Sequence, residues 1–454
     1  MTRLISFIAL LFFIPLLLQA VYQTVILVSR AAGKPANIVV DTQVVLGPLD
    51  TTFYHAFAQG GEEAGDMLAP VLAEVIALKP KLIRLDHLYD HYDVVSRSGS
   101  NLNYNFARLD AAVNSILATG AKPVFALSYM PSVIARDGVI INPPNDWNEW
   151  SQVVRRTIEH YSGKNEKNLS GIYYEVWNEP DLDIFGKWGL KGDKNYLTLY
   201  RYAAAGAGAA SNVNRFLLGG PVTTGLYKTW ILALVNSGAR VDFFAWHSYL
   251  TNPAQFARDQ QNLASWLMPY AGYILLPKLI TEFGFTGSKS PLYGSDYAAA
   301  HTAAVIRQLV SGGPSYLFSF QLKDGPGQEK GNGWGLLTHE TNQKKPKPRY
   351  FVYNFLDALA GNRLQVSGEG TWVTALASKQ NNLIRVLLVN FDARGSHVEN
   401  VPVTILGLEN GQYTLRINYL FGQDLNKKVA VNDHTWKEKV YLSAQGVAIV
   451  ELGK

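Results

Sequence analysis

Two apolar runs in this chain end on a glutamate. One reads Tyr174-Glu175-Val176-Trp177-Asn178-Glu179-Pro180, the other Leu279-Ile280-Thr281-Glu282-Phe283-Gly284-Phe285. Pro180 has no N–H to give to a ladder, so Glu179 stands where its strand stops. Two carboxyl groups over one substrate suit the hydrolysis of a glycosidic bond. One acid protonates the leaving oxygen, and one carboxylate attacks the sugar or activates water. The plain alternative is a pair of loop glutamates in surface ion pairs.

Other polar side chains close similar runs. Ile83-Arg84-Leu85-Asp86-His87 ends one, and Phe244-Ala245-Trp246-His247-Ser248-Tyr249 another. Arg84 either pairs with the attacking carboxylate and lowers its pKa, or makes a structural ion pair. The Tyr249 hydroxyl is placed to donate to Glu282. His247 is equally readable as a satisfied histidine at a strand end. His87 and Trp334 join the candidates for substrate binding. Trp188 and Trp246 offer sugar-stacking faces too, although core packing is the usual fate of an isolated tryptophan. No histidine pair has helical metal spacing and no cation loop is evident, so neither a metal nor another cofactor is expected.

The elements that must position these groups alternate regularly. Eight short β-type runs, beginning at 51–57 and ending at 316–320, are each followed by a helical pattern, the last over 348–359. That rhythm predicts an α/β fold, a (β/α)₈ TIM barrel over 51–360. Its fourth strand would end at Glu179 and its seventh at Glu282, on opposite sides of the mouth. A doubly wound sheet is the alternative, but Gly60-Gly61 is followed by two glutamates that would repel a phosphate. After residue 360 only strand-like runs and turns remain, which predicts a β-sandwich over 361–454. The segment 31–50 reads as a linker, with 37–46 apolar enough to add a strand to the sandwich.

Composition limits the rest. The 454 residues are 48% hydrophobic and 17% charged, as in ordinary globular proteins. There is no cysteine, which excludes disulfides, thiolate metal sites and a cysteine nucleophile. A net charge of +5 is too small for this length to point to nucleic acid. Leu4 to Val28 is apolar apart from Ser6, Gln19, Gln23 and Thr24. As a helix it would reach about 37 Å, enough for a bilayer core. Residues 1–30 are therefore expected to be a membrane anchor or a signal segment. The remainder would be extracytoplasmic, tethered if the segment is kept and secreted if it is cleaved.

The motifs, taken in order, resemble glycoside hydrolase family 39, part of a clan of retaining (β/α)₈ glycosidases that includes β-xylosidases and α-L-iduronidases. The resemblance rests on Tyr104-Asn105-Phe106, Gly120-Ala121-Lys122-Pro123-Val124 and Leu127-Ser128-Tyr129-Met130-Pro131. It continues through Tyr173 to Leu182, Gly219-Gly220-Pro221, Thr281-Glu282-Phe283-Gly284 and Gly333-Trp334-Gly335-Leu336-Leu337. It implies that Glu179 is the general acid/base, Glu282 the nucleophile, Asn178 a partner of the sugar 2-hydroxyl and Tyr249 a donor to Glu282. The chain departs from the pattern at Arg84-Leu85-Asp86, where many members have Arg-x-His, and at Phe283, where many have Trp. The strand-eight Trp common in the clan is replaced by Phe318, Phe320 and Gln321. A membrane-attached member also resembles bacterial endoglycosidases that trim exopolysaccharide. The expected partner is thus a polysaccharide or oligosaccharide. An exo-β-xylosidase and a tethered, non-catalytic glycan-binding protein are the alternatives.

Overall fold

A computed structural model describes residues 33–328 and 331–454, and the expected segment at 1–30 lies outside them. Among the described residues no helix is long and apolar enough to cross a membrane. The chain divides into two compact units. One comprises Pro48–Gly361 with Leu420–Gly422. The other takes the described residues up to Gly47, Asn362–Tyr419 and Gln423–Lys454.

The strands, in chain order, begin with β1 (Ile38–Pro48), β2 (Ala56–Gln59), β3 (Leu82–Leu85), β4 (Val95–Ser98), β5 (Asn101–Tyr104) and β6 (Lys122–Leu127). They continue with β7 (Ile172–Val176), β8 (Phe216–Thr223), β9 (Phe243–Tyr249), β10 (Lys278–Gly284) and β11 (Tyr316–Phe320). Eight of these close a parallel barrel in the order β2, β3, β6, β7, β8, β9, β10, β11. Inward positions such as Ala56, Leu82, Val124, Phe243, Ala245, Leu279 and Phe318 pack into one buried cluster along the axis. Helices between the strands include Ala107–Ala118, Trp147–Ser162, Tyr196–Ala209, Pro253–Leu267 and Asp296–Leu309. The fold class is therefore the expected (β/α)₈ barrel with a separate β domain.

Three local departures have physical causes. The helix expected after the first strand shrinks to Leu72–Ala77, preceded by a 3₁₀ turn at Ala69–Val71. There, Asp66 Oδ1 accepts from the Leu68 and Ala69 amides and Pro70 has no N–H, which favours a turn over an earlier helix start. The first strand starts later than its apolar pattern suggests, because Asp50 Oδ1 accepts from both the amide and the hydroxyl of Thr52 and curls the chain there. The hairpin of β4 and β5 was not anticipated; its residues are mostly exposed and show little alternation in hydropathy.

In the second unit, β1 joins β12 (Asn362–Ser367), β13 (Val373–Gln380), β14 (Leu383–Asn390), β15 (Glu399–Leu406), β16 (Gly411–Tyr419), β17 (Leu425–Val431), β18 (Thr435–Leu442) and β19 (Val447–Gly453). These form one nine-stranded sheet, in which β1 runs parallel to β15 and Ile38 is level with Val403. Alternate residues of all nine strands enter a single core, from Ile38 and Val40 to Val450 and Leu452. A single core fed from every strand requires the sheet to fold over itself, as a sandwich does.

Candidate active site

The site is built by interruptions of the strand pattern. On β10, Leu279 faces the barrel axis, and strict alternation would send Glu282 outward with Ile280. The register against β9 shifts between these residues: Ile280 pairs with Trp246, but Glu282 pairs with His247. Thr281 is the extra residue of this bulge, and it returns Glu282 to the inner face. On β7 the change comes at the strand end, where Trp177 has φ 76° and Glu179 φ 42°, both left-handed. Trp177 turns into the helical layer, its ring 5.3 Å from Trp188 and 6.4 Å from Trp150. Asn178 is left buried at the site, and Glu179 reaches the rim. Left-handed backbone at residues other than glycine is a strain that tends to collect at functional sites.

Arg84, 1% exposed on β3, holds three groups at once. Its Nε donates to Glu175 Oε2 at 2.6 Å, Nη1 to Glu282 Oε1 at 2.9 Å and Nη2 to Asn178 Oδ1 at 2.7 Å. Tyr249 Oη donates to Glu282 Oε2 at 2.6 Å. His247 Nδ1 lies 2.8 Å from Glu179 Oε1 and 3.5 Å from Glu282 Oε2. Its Nε2 is buried without a partner, which fits a neutral ring with its proton on Nδ1, shared toward both carboxylates. Burial lowers the pKa of this imidazole and so favours the neutral form. Glutamate and glutamate are close: one oxygen of each lies within 4.8 Å of the other.

Burial raises both acids alike, and hydrogen-bond donors separate them. Burial pushes Glu179 up to about 7, with Asp181 adding to the rise and Arg84 opposing it. Burial also pushes Glu282 up to about 7, against the pull of His247 and Arg84. Only Glu282 accepts from both a guanidinium and a phenol, so the first charge belongs there and the remaining proton on Glu179. Glu179, His247 and Glu282 could together face a cation. A cation there would have to compete with Arg84 and Tyr249, which already serve Glu282.

A cleft of about 620 Å³ opens over these groups, lined by Asp86, His87, Asn178, Glu179, Tyr249 and Glu282, with Trp334 and Phe185 among its other walls. Of the residues singled out in the sequence, Arg84 and His247 do not line it; they lie behind the carboxylates and hold them. Trp188 and Trp246 are buried, 2% and 0% exposed, and are not available for sugar stacking. Trp334 does line the cleft, with Lys289 Nζ 5.1 Å from its ring centre. His87 lines it too, its Nδ1 2.7 Å from Asp90 Oδ2. Sequence reasoning missed Glu175, fully buried against Arg84, and Tyr129, whose Oη accepts from Asn178 Nδ2 at 2.8 Å. A charge inside the run Tyr173-Tyr174-Glu175-Val176 was the available signal for Glu175.

Comparison with known proteins identifies the family and the fold. The sequence matches Glycosyl hydrolases family 39 over residues 77–438. It is 27% identical over 359 residues to a β-xylosidase of Caldicellulosiruptor saccharolyticus, covering 71% of this chain and 72% of the relative. It is 27% identical over 305 residues to a β-xylosidase of Geobacillus stearothermophilus, covering 59% and 58%. The fold matches the crystal structure of a monomeric β-xylosidase from Caulobacter crescentus CB15 with a TM-score of 0.74 at 19% identity, over 92% of this chain and 99% of that one. With two buried carboxyl groups meeting at the mouth of a (β/α)₈ barrel and a family match over most of its length, this chain belongs to glycosyl hydrolase family 39 and is a glycosidase.

Proposed function

We propose that the protein is a retaining glycosidase that acts on an extracytoplasmic polysaccharide through Glu179 and Glu282. The observation that supports retention is that one carboxyl oxygen of Glu179 lies within 4.8 Å of one of Glu282. Retaining enzymes hold them about 5–5.5 Å apart, whereas inverting enzymes leave about 6.5–9.5 Å for a water molecule. In the first step Glu282 attacks the anomeric carbon as the glycosidic C–O bond breaks. Glu179 gives its proton to the leaving oxygen, and a glycosyl ester forms on Glu282. Esterification removes the charge of Glu282, so neutral and basic roles can exchange on Glu179. It then takes a proton from water, which attacks the same carbon and frees Glu282. Asn178 Nδ2 uses one proton on Tyr129 and keeps a second for the sugar 2-hydroxyl.

The finer substrate has two readings. An exported, endo-acting enzyme on exopolysaccharide is supported by the apolar N-terminal sequence and the strand-end departures from the family pattern. An exo-β-xylosidase is supported at least as well by the β-xylosidase relatives. Aryl glycosides and polymers, tested with wild type, Glu179→Gln and Glu282→Gln, decide among these. Turnover by wild type well above both variants is expected. Equal turnover in all three refutes the enzyme, and a mechanism-based label away from Glu282 refutes the nucleophile. Release of monosaccharide alone from a polymer selects the exo reading. Cell fractionation with and without residues 1–30 tests export and tethering.

A further inference from the structure

Three groups of histidine and carboxylate side chains converge among the described residues, and two of them are already served. At Glu179, His247 and Glu282, the donors Arg84 and Tyr249 hold Glu282. At Glu63, His339 and Glu340, the buried ammonium of Lys323 stands 2.8 Å from Glu63 Oε1 and 2.6 Å from Glu340 Oε2, where a cation would sit. The third group is His87, Asp90 and His91. Among the described residues the ion pairs of Asp90 are to these two histidines and to no lysine or arginine. The group lies on the turn that follows β3. No helical pattern covers 86–92 in the sequence, but the chain makes one α-type turn there, the His91 amide donating to the His87 carbonyl at 3.2 Å. This corrects the expectation that no histidine pair has a metal-binding spacing. His87 and His91 are four positions apart, and the turn stacks their rings with centres 4.3 Å apart.

Both rings address one carboxylate. His87 Nδ1 lies 2.7 Å from Asp90 Oδ2 and His91 Nε2 lies 3.9 Å from it. Donor atoms each about 2.1 Å from a tetrahedral ion stand about 3.4 Å apart, so shifts of under about 1 Å would seat all three on one ion. Asp90 Oδ1 is buried and makes no hydrogen bond, which leaves the carboxylate short of a partner. His91 Nε2 is beyond hydrogen-bond reach of that carboxylate. An ion bound by the carboxylate and both rings answers both shortfalls. His91 is 24% exposed, so water can reach the group and complete the coordination. We infer that His87, Asp90 and His91 form a site for a divalent metal ion of the zinc class, which two imidazoles and one carboxylate suit. Calcium and magnesium prefer sets of six or more oxygens and should not compete. The ion cross-links the turn that walls the cleft at His87. The inference is independent of the glycosidase reading.

The test titrates zinc chloride calorimetrically into the full chain, stripped with EDTA and purified in mild detergent. Wild type is expected to take up zinc at one site with a Kd of about 10 μM or tighter. It should also melt at a higher temperature with zinc than without. His91→Ala and Asp90→Asn, each checked for an unchanged far-UV spectrum, should weaken that binding about tenfold or more, since even a residue one layer out from a metal usually contributes that much. Glu282→Gln and His339→Gln should bind zinc as wild type does, which separates this site from the other two groups. Cobalt in place of zinc should give wild type a visible absorption band that His91→Ala lacks. No uptake by wild type at about 100 μM zinc, ten times the expected Kd, overturns the inference. So does uptake that is unchanged in His91→Ala or in Asp90→Asn. Uptake lost in Glu282→Gln or His339→Gln instead assigns the ion to another group and overturns it equally. None of these readouts requires turnover of a glycoside.

Discussion

Replacing Arg84 should weaken the fold and move the pH dependence together, by amounts that separate its charge from its shape. The side chain is 1% exposed and gives one N–H each to Glu175, Glu282 and Asn178. Arg84→Met leaves two buried carboxylates facing each other without a cation. Breaking a buried pair from one side costs about 3–5 kcal/mol, a large share of a typical stability of about 5–15 kcal/mol. Arg84→Lys keeps the charge, but its single nitrogen cannot span the three acceptors that three guanidinium nitrogens reach, so losing one charge-assisted bond should cost roughly 1.5–3 kcal/mol. Arg84 opposes the rise of both Glu179 and Glu282, each at about 7. Its removal disfavours ionised Glu282, the proposed nucleophile, and the acid limb of kcat/KM against pH should therefore move upward. A shift of about one unit corresponds to about 1.4 kcal/mol. The lysine variant should show a smaller shift but a clear loss of kcat, since Asn178 and Glu282 lose their common anchor. Urea unfolding and pH-rate profiles of the three proteins provide the measurements. An Arg84→Met variant as stable as wild type, or with its acid limb unmoved or lowered, would refute the reasoning.

Further outcomes follow from single contacts. Tyr249→Phe removes the 2.6 Å donor to Glu282 and should lower kcat/KM roughly tenfold to a hundredfold; activity equal to wild type contradicts a charge-assisted bond. Glu179→Gln should stabilise the protein in alkaline solution. The folded-state value near 7 exceeds the unfolded 4.5, so wild type binds more protons when folded and loses stability as pH rises through that window. Glutamine escapes the loss, giving a gain of about 3 kcal/mol at pH 8 and little at pH 4; a pH-independent difference in melting would disprove it. Gly206→Ala should destabilise despite alanine's helix preference of about 1 kcal/mol. The new Cβ would meet the Ser151 carbonyl at 2.1 Å, where helices Tyr196–Ala209 and Trp147–Ser162 touch. A urea midpoint equal to or above that of wild type would show that the helices can part cheaply.

By itself the sequence determined the kind of fold and picked out two glutamates near strand ends. Eight alternations of short β-branched or aromatic runs with amphipathic helices leave few architectures that bury both faces of a parallel sheet. Glu179, just past β7 and before Pro180, and Glu282, near the end of β10, put carboxyl groups at one end of that sheet. Those signals are local, carried by residue types a few positions apart. The partners of the acids are not local. Glu175, 91 positions from Arg84, becomes its counter-ion only when β3 and β7 both point side chains at the barrel axis. Trp188 and Trp246 read as sugar platforms by type, yet Trp246 faces outward from β9 into the protein and Trp188 packs against Trp177 and Trp147, so both are interior. The decisive step lay in the register of β10 on β9. One extra residue at Thr281 reverses the parity of everything after it, and so turns Glu282 from the helical layer to the cleft. Sequence periodicity carries no mark of such a bulge, because its cause is the fit of one strand against its neighbour. The same holds for Asp86, whose Oδ1 is buried against the backbone at Gly60, 26 positions away in the chain.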